Sequence, residues 1–218
     1  MTNEYLAPGR FIDSNDADVV AFARAATVGT HDDMERVLRL YCEIRDGILY
    51  DAYRDMLHPD SYRASAVLRA GRGFCVGKAA LLAACARAIG VPARVGYADV
   101  RNHLTSPKLR ERFKTDLFVW HSYAELNLEG KWVKATPAFN AALCERLGVA
   151  PLAFDGRSDS LFQPFDTQGR RHMEYVVDHG AFADVPFDTI VAAFRVHYPA
   201  LEAQRIEGDF QAEAVAGS

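Results

Sequence analysis

The chain has 218 residues, half of them hydrophobic, with 25 Lys and Arg against 29 Asp and Glu for a formal charge of −4. That mildly acidic balance, with no run of four basic residues, excludes the electrostatic footprint of a nucleic-acid or anionic-membrane binder. A chain this long can bury about 70% of its unfolded surface, enough for one core without disulfide or metal staples.

No apolar run approaches the ~18 residues of a membrane span, and residues 1–13 lack the basic-then-apolar order of a signal peptide. The expectation is a soluble, cytoplasmic protein with no membrane or nucleic-acid partner. Cys42, Cys75, Cys85 and Cys144 are too few and too irregular for a secreted disulfide framework, so each is read as a reduced thiol. There is no C-x-x-C or H-E-x-x-H, and the seven histidines are scattered, so neither metal nor cofactor is expected. Without repeats, linkers or composition shifts, residues 1–218 read as one domain.

In chain order, a first helix is expected over residues 14–26, with Val19, Val20, Phe22, Ala23 and Ala26 as its apolar face. A second runs from Thr30 to about Ile48, its start marked by Thr30 and Asp33. Residues 78–89 are nearly all Ala and Leu and end at Gly90 with Pro92 beyond, which predicts a central, almost polar-free helix. A short strand over residues 92–97 follows. The alternation of residues 118–128, the turn pair Glu129-Gly130 and residues 131–135 make a β-hairpin. Then come a helix near 140–147, a polar loop at 155–160, a strand near 173–177 and a helix over about 186–197. The tail after Glu202 is small and polar enough to fray.

Cys75 lies in Gly71-Arg72-Gly73-Phe74-Cys75-Val76-Gly77-Lys78, directly before the Ala-rich helix. Free N–H groups and the helix dipole there favour a thiolate, lowering the pKa from ~8.5, and can hold an oxyanion. Cys42 and Cys85 sit inside helices among apolar neighbours and read as structural. The glycine pattern from Gly71 to Gly77 has one residue too many, and no βαβ context, for a dinucleotide fingerprint. On the hairpin, alternation puts His121, Tyr123, Glu125 and Asn127 on one face, where an imidazole can serve a thiol.

Together these residues carry a resemblance. Gly73-Phe74-Cys75, Lys78-Ala79, Leu81-Leu82, Arg87-Ala88, Gly90-Val91-Pro92-Ala93-Arg94, His121-x-Tyr123-x-Glu125 and Gly130-x-Trp132-Val133 resemble the transglutaminase-like superfamily of cysteine enzymes over residues 30–140. The resemblance implies an α+β, papain-like core, with a central helix headed by the cysteine and packed on an antiparallel sheet. It implies Cys75 as nucleophile and His121 as its histidine. Where the family carries an aspartate, Thr136 stands; a hydroxyl can accept the imidazole N–H but supplies no charge. Asn140, Asp155 and Asp159 are the alternatives for orienting His121. Tyr123 is expected to bind substrate from the histidine face, and Glu125 to stabilise the hairpin. The basic stretch from Arg101 to Lys114 reads as a solvated segment, or, if it lines the cleft, as a preference for acidic substrates.

The implied chemistry is attack of Cys75 on a carboxamide or peptide bond of a peptide or small amide, giving a thioester. Hydrolysis is favoured for a chain without accessory domains. The alternatives are an amine-transferring transglutaminase and a catalytically silent binding or scaffold protein.

Overall fold

The computed structural model describes residues 3–103, 107–162, 164–201 and 208–213. Helix α1 (Ala17–Ala26) is capped by Asp16, whose carboxylate accepts the N–H groups of Asp18 and Val19. Helix α2 (Asp33–Gly47) begins later than Thr30 because Asp32 caps it: its carboxylate accepts Glu35 N–H while the Glu35 carboxylate accepts His31 N–H, a reciprocal box. Val37, Leu40, Tyr41 and Ile44 form its buried stripe. Cys42 lies on the opposite side and is exposed, correcting its expected burial.

Strand β1 (Leu49–Tyr50) pairs in parallel with β2 (Arg72–Gly73), and α3 (Ala64–Ala70) lies between them in the chain. These pieces are too short for periodicity to reveal. They deliver the chain to the head of α4 (Cys75–Ala88), in which every residue from Val76 to Arg87 is buried. A helix apolar all round must be central. Gly77 is required by close packing, since a Cβ there would meet the Ser61 carbonyl and the Val67 side chain. Gly90, at φ 88°, turns the chain after the helix.

The sheet is antiparallel, in the order β5-β4-β3-β6. It comprises β3 (Ala93–Asn102), β4 (Leu117–Leu128), β5 (Lys131–Ala135) and β6 (Met173–Phe182). Helices α5 (Pro107–Phe113), α6 (Ala141–Leu147), α7 (Phe187–His197) and α8 (Phe210–Glu213) complete the α+β fold. Glu129 and Gly130 take φ of 52° and 83°, the left-handed pair that a two-residue hairpin turn requires. β3 and β6 run farther than their sequence patterns indicate because they pair with each other over almost their whole length. β6 is an edge strand with Val176 and Val177 exposed, so it has no clean alternation to read. Among the described residues, no helix is long and apolar enough to cross a membrane.

Two cations inside the core hold backbone together. Lys78 Nζ donates to the carbonyls of Arg45 and Ile48, satisfying the C-terminal end of α2. Burial pushes its pKa down to about 7. The Arg87 guanidinium donates to the carbonyls of Ala7, Ala93 and Ala183, tying the N-terminal segment to β3 and to the chain beyond β6.

Candidate active site

Cys75 is the first residue of α4, and the N-cap residue Phe74 makes no side-chain cap. The opening N–H groups of the helix are therefore left for another acceptor. Backbone N–H groups of Ser122, Val76 and Cys75 itself favour the thiolate. Burial outweighs them and pushes the thiol up to about 11, opposite to the lowering expected from the helix dipole alone.

His121 follows an irregularity in β4. The β3–β4 register shifts between Ala98 and Val100, and Trp120 takes a φ of 56°. A left-handed backbone is costly for a bulky residue. Here Asp99 holds it: its carboxylate accepts the Trp120 N–H at 2.9 Å and bonds His179 Nε2 at 2.7 Å. The His179 ring stacks on the indole, with centroids 4.4 Å apart. This bulge interrupts the simple alternation of the strand immediately before His121. The imidazole is 5% exposed and packs on the rings of Phe162 and Tyr175, with centroids 4.9 and 6.3 Å away. Its Nε2 is buried with no hydrogen-bond partner, and burial pushes its pKa down to about 3. At neutral pH the thiol and the imidazole are both uncharged.

The expected orienting bond to His121 is not formed. Thr136 is buried, but its hydroxyl has no partner at bonding distance, and the Tyr175 hydroxyl is only a weaker neighbour. The alternatives are engaged elsewhere. Asn140 binds Tyr50 N–H and the Gln211 side chain. Asp155 accepts the N–H groups of Arg157 and Ser158, and Asp159 accepts that of Lys134. Among the described residues, the rings of Phe162 and Tyr175 pack on the imidazole.

Tyr123 is also reassigned: its hydroxyl bonds Lys134 Nζ at 3.1 Å, its ring covers Gly96, and it does not line the cavity that holds Cys75. Glu125 pairs with Arg94 at 2.6 Å on the neighbouring strand, the hairpin role expected of it. Arg101, Arg110 and Arg112 do not line the cavity. Arg101 pairs with Asp116, and Arg112 is buried with one long bond to the Arg54 carbonyl while its Nε and Nη1 have no partner, so none of these three arginines brings charge to the cavity wall.

Cys75 and His121 open onto one cavity of about 90 Å³. Its walls are mainly aliphatic and aromatic, with Met56, Phe113, Val149 and Phe194 among them. Two charged lining residues, Arg170 and Glu213, are exposed and lie at the rim. The tail contributes too. Phe210 of α8 packs edge-on against Tyr50 and Tyr53, and Gln211 donates to the Tyr50 carbonyl, so residues 210–213 are docked, not frayed. The rest of the expected fraying tail, 202–207 and 214–218, lies outside the described residues. Phe210 is the single aromatic residue after Tyr198, and that was the available signal. Phe162 and Asp99 carried none, because their roles arise only from tertiary contact.

A neutral thiol that shares a cavity with a neutral imidazole suits acyl transfer, and a buried helix headed by that thiol on an antiparallel sheet is the setting of papain-like cysteine proteins. Sequence comparison agrees at the level of family. The chain belongs to the transglutaminase-like superfamily, whose core matches residues 20–137. No curated protein matches the chain significantly. Among solved structures, it resembles a Cytophaga hutchinsonii protein provisionally described as a cysteine protease. The match covers 83% of this chain and 46% of the other, at 16% identity and a TM-score of 0.51. A Parabacteroides distasonis ATCC 8503 protein provisionally described as a protease matches over 61% of this chain and 25% of its own, at 18% identity and a TM-score of 0.40. This chain thus spans less than half the length of either protein, and the first likeness is one of fold.

Proposed function

We propose that the protein is a cysteine hydrolase that cleaves an amide bond through a thioester on Cys75. The observation that carries the reading is that the helix-head thiol of Cys75 and the buried imidazole of His121 line one cavity. In the resting protein the pair is neutral, so His121 acts as a base during attack, not as the partner of a standing thiolate. As Sγ bonds the carbonyl carbon, the thiol proton moves to the His121 imidazole, and the uncapped N–H groups at the head of α4 are suited to receive the oxyanion. The imidazolium, disfavoured by burial, gives its proton readily to the leaving amine. Water then releases the acid.

A resting neutral pair predicts a divided reactivity pattern among the four thiols. Iodoacetamide, which needs a preformed thiolate, labels the exposed Cys42 faster than Cys75 at pH 7. An activated acyl ester, which engages the base, acylates Cys75 first. Peptide mapping by mass spectrometry reads both. Acylation confined to Cys42 overturns the reading in favour of a silent scaffold.

A further inference from the structure

The cavity that holds Cys75 and His121 is a container as well as a site. Its inner wall presents hydrocarbon: Ala52, Val100, Phe118, Leu147 and Met173 line it with the residues named above. Its charged lining residues are already engaged. Arg170 is held by Asp166 at 2.7 Å, and Glu213 accepts the Tyr53 hydroxyl at 2.9 Å. His172, 5% exposed, is kept toward the neutral state by burial. A glutamine donor would place main-chain amides a few bonds from the reacting carbonyl. In this mainly apolar space, where besides Cys75 and His121 the few uncharged polar side chains are Asn102, Tyr50, Tyr53 and His172, they would lose water and gain few partners. A hydrocarbon chain has no such need. The space, about 90 Å³, is small and so suits a short chain.

We propose that the acyl group transferred to Cys75 is short, uncharged and aliphatic, about three to five carbons long and straight or branched, bound in this cavity. The inference rests on Cys75 being the nucleophile and names the substrate class that it serves. In the reaction, Sγ bonds the acyl carbon and the bond from that carbon to the leaving nitrogen or oxygen breaks with its electron pair. The thiol proton passes through the His121 imidazole to the leaving group. Water then bonds the same carbon, its proton returns by the imidazole, and the sulfur departs as thiol with release of the carboxylic acid.

The test is a series of p-nitrophenyl esters, from acetyl through butyryl, isovaleryl, hexanoyl and decanoyl, together with the γ-ester of Nα-blocked glutamic acid α-amide, which presents the acyl group of a glutamine donor. Nitrophenolate release and the Cys75 acyl mass are followed in parallel. Each added methylene raises kcat/KM about fourfold until the cavity is filled, after which the rate falls. Val149→Phe and Ala52→Leu, whichever folds, move the optimum to shorter chains. A flat profile, or a γ-glutamyl ester faster than butyryl, overturns the proposal while leaving Cys75 as nucleophile. A second arm needs no chemistry: saturation-transfer NMR of isovaleramide and of Nα-acetylglutamine amide with the Cys75→Ala protein. Isovaleramide contact without any Cys75 acylation keeps the apolar site and removes the hydrolase reading. Contact by the glutamine compound alone overturns the apolar site.

Discussion

Replacing His121 with phenylalanine removes a base that the folded protein holds uncharged, and it changes how stability depends on pH. The imidazole has a pKa of about 3 when folded against 6.5 for an ordinary histidine, because burial disfavours its charged form. Between those values the unfolded chain binds the proton and the folded chain does not. Stability therefore rises with pH across this window, is fully present above it, and is lost as pH falls through it. From about pH 8 to pH 5 the loss attributable to this group is about 2 kcal/mol. Cys75 is protonated throughout that range and adds nothing, and His172, also lowered by burial, contributes equally to both proteins. Urea unfolding at the two pH values gives the test. The parent loses about 2 kcal/mol more than His121→Phe. Equal losses in the two proteins would mean that His121 charges freely in the folded state, and the resting neutral pair would be wrong.

Lys78 gives the mirror case at alkaline pH. The folded protein releases its proton near 7 while the unfolded chain keeps it to 10.5, so stability from this group rises by about 2 kcal/mol between pH 7 and 9, a gain that Lys78→Met lacks in paired denaturation curves. Thr136→Val leaves stability within about 1 kcal/mol and Cys75 acylation within about threefold, because the lost hydroxyl bonds nothing; a hundredfold fall in stopped-flow acylation would restore the residue as the orienter of His121. Asp99→Ala frees the left-handed Trp120 backbone and lowers stability by about 2 kcal/mol, with slower acylation; Asp99→Asn retains most of both, and an unchanged Asp99→Ala protein would show that the bulge needs no such clasp.

Local chemistry wrote the strongest parts of the fold into the sequence. The Ala-rich run, its Gly90 stop and the Glu129-Gly130 hairpin each have a short-range cause, and each appears where the residues put it. The thiol at the helix head and the strand histidine were legible for the same reason. What lay beyond reach depends on contacts distant in the chain. Trp120 adopts its unusual backbone through Asp99, 21 residues away, and nothing local announces it. The direction of the Cys75 shift is set by the core packed around its half-buried thiol, which the helix dipole argument leaves out. Thr136 aligned with the family's aspartate, yet its hydroxyl does not reach a bonding partner. The cavity itself draws walls from β1 through α8, so no single segment carries its signature.

The measurement closest to the central claim is the rate at which p-nitrophenyl butyrate acylates Cys75 at pH 7 in the parent, in His121→Ala and in Cys75→Ala, read by intact mass and nitrophenolate burst. A base acting during attack predicts an adduct mapped to Cys75 in the parent, no adduct at that position in Cys75→Ala, and acylation slowed by about a hundredfold or more in His121→Ala. Equal rates in the parent and His121→Ala, or no adduct on Cys75 in either, would contradict a cysteine enzyme built on this pair.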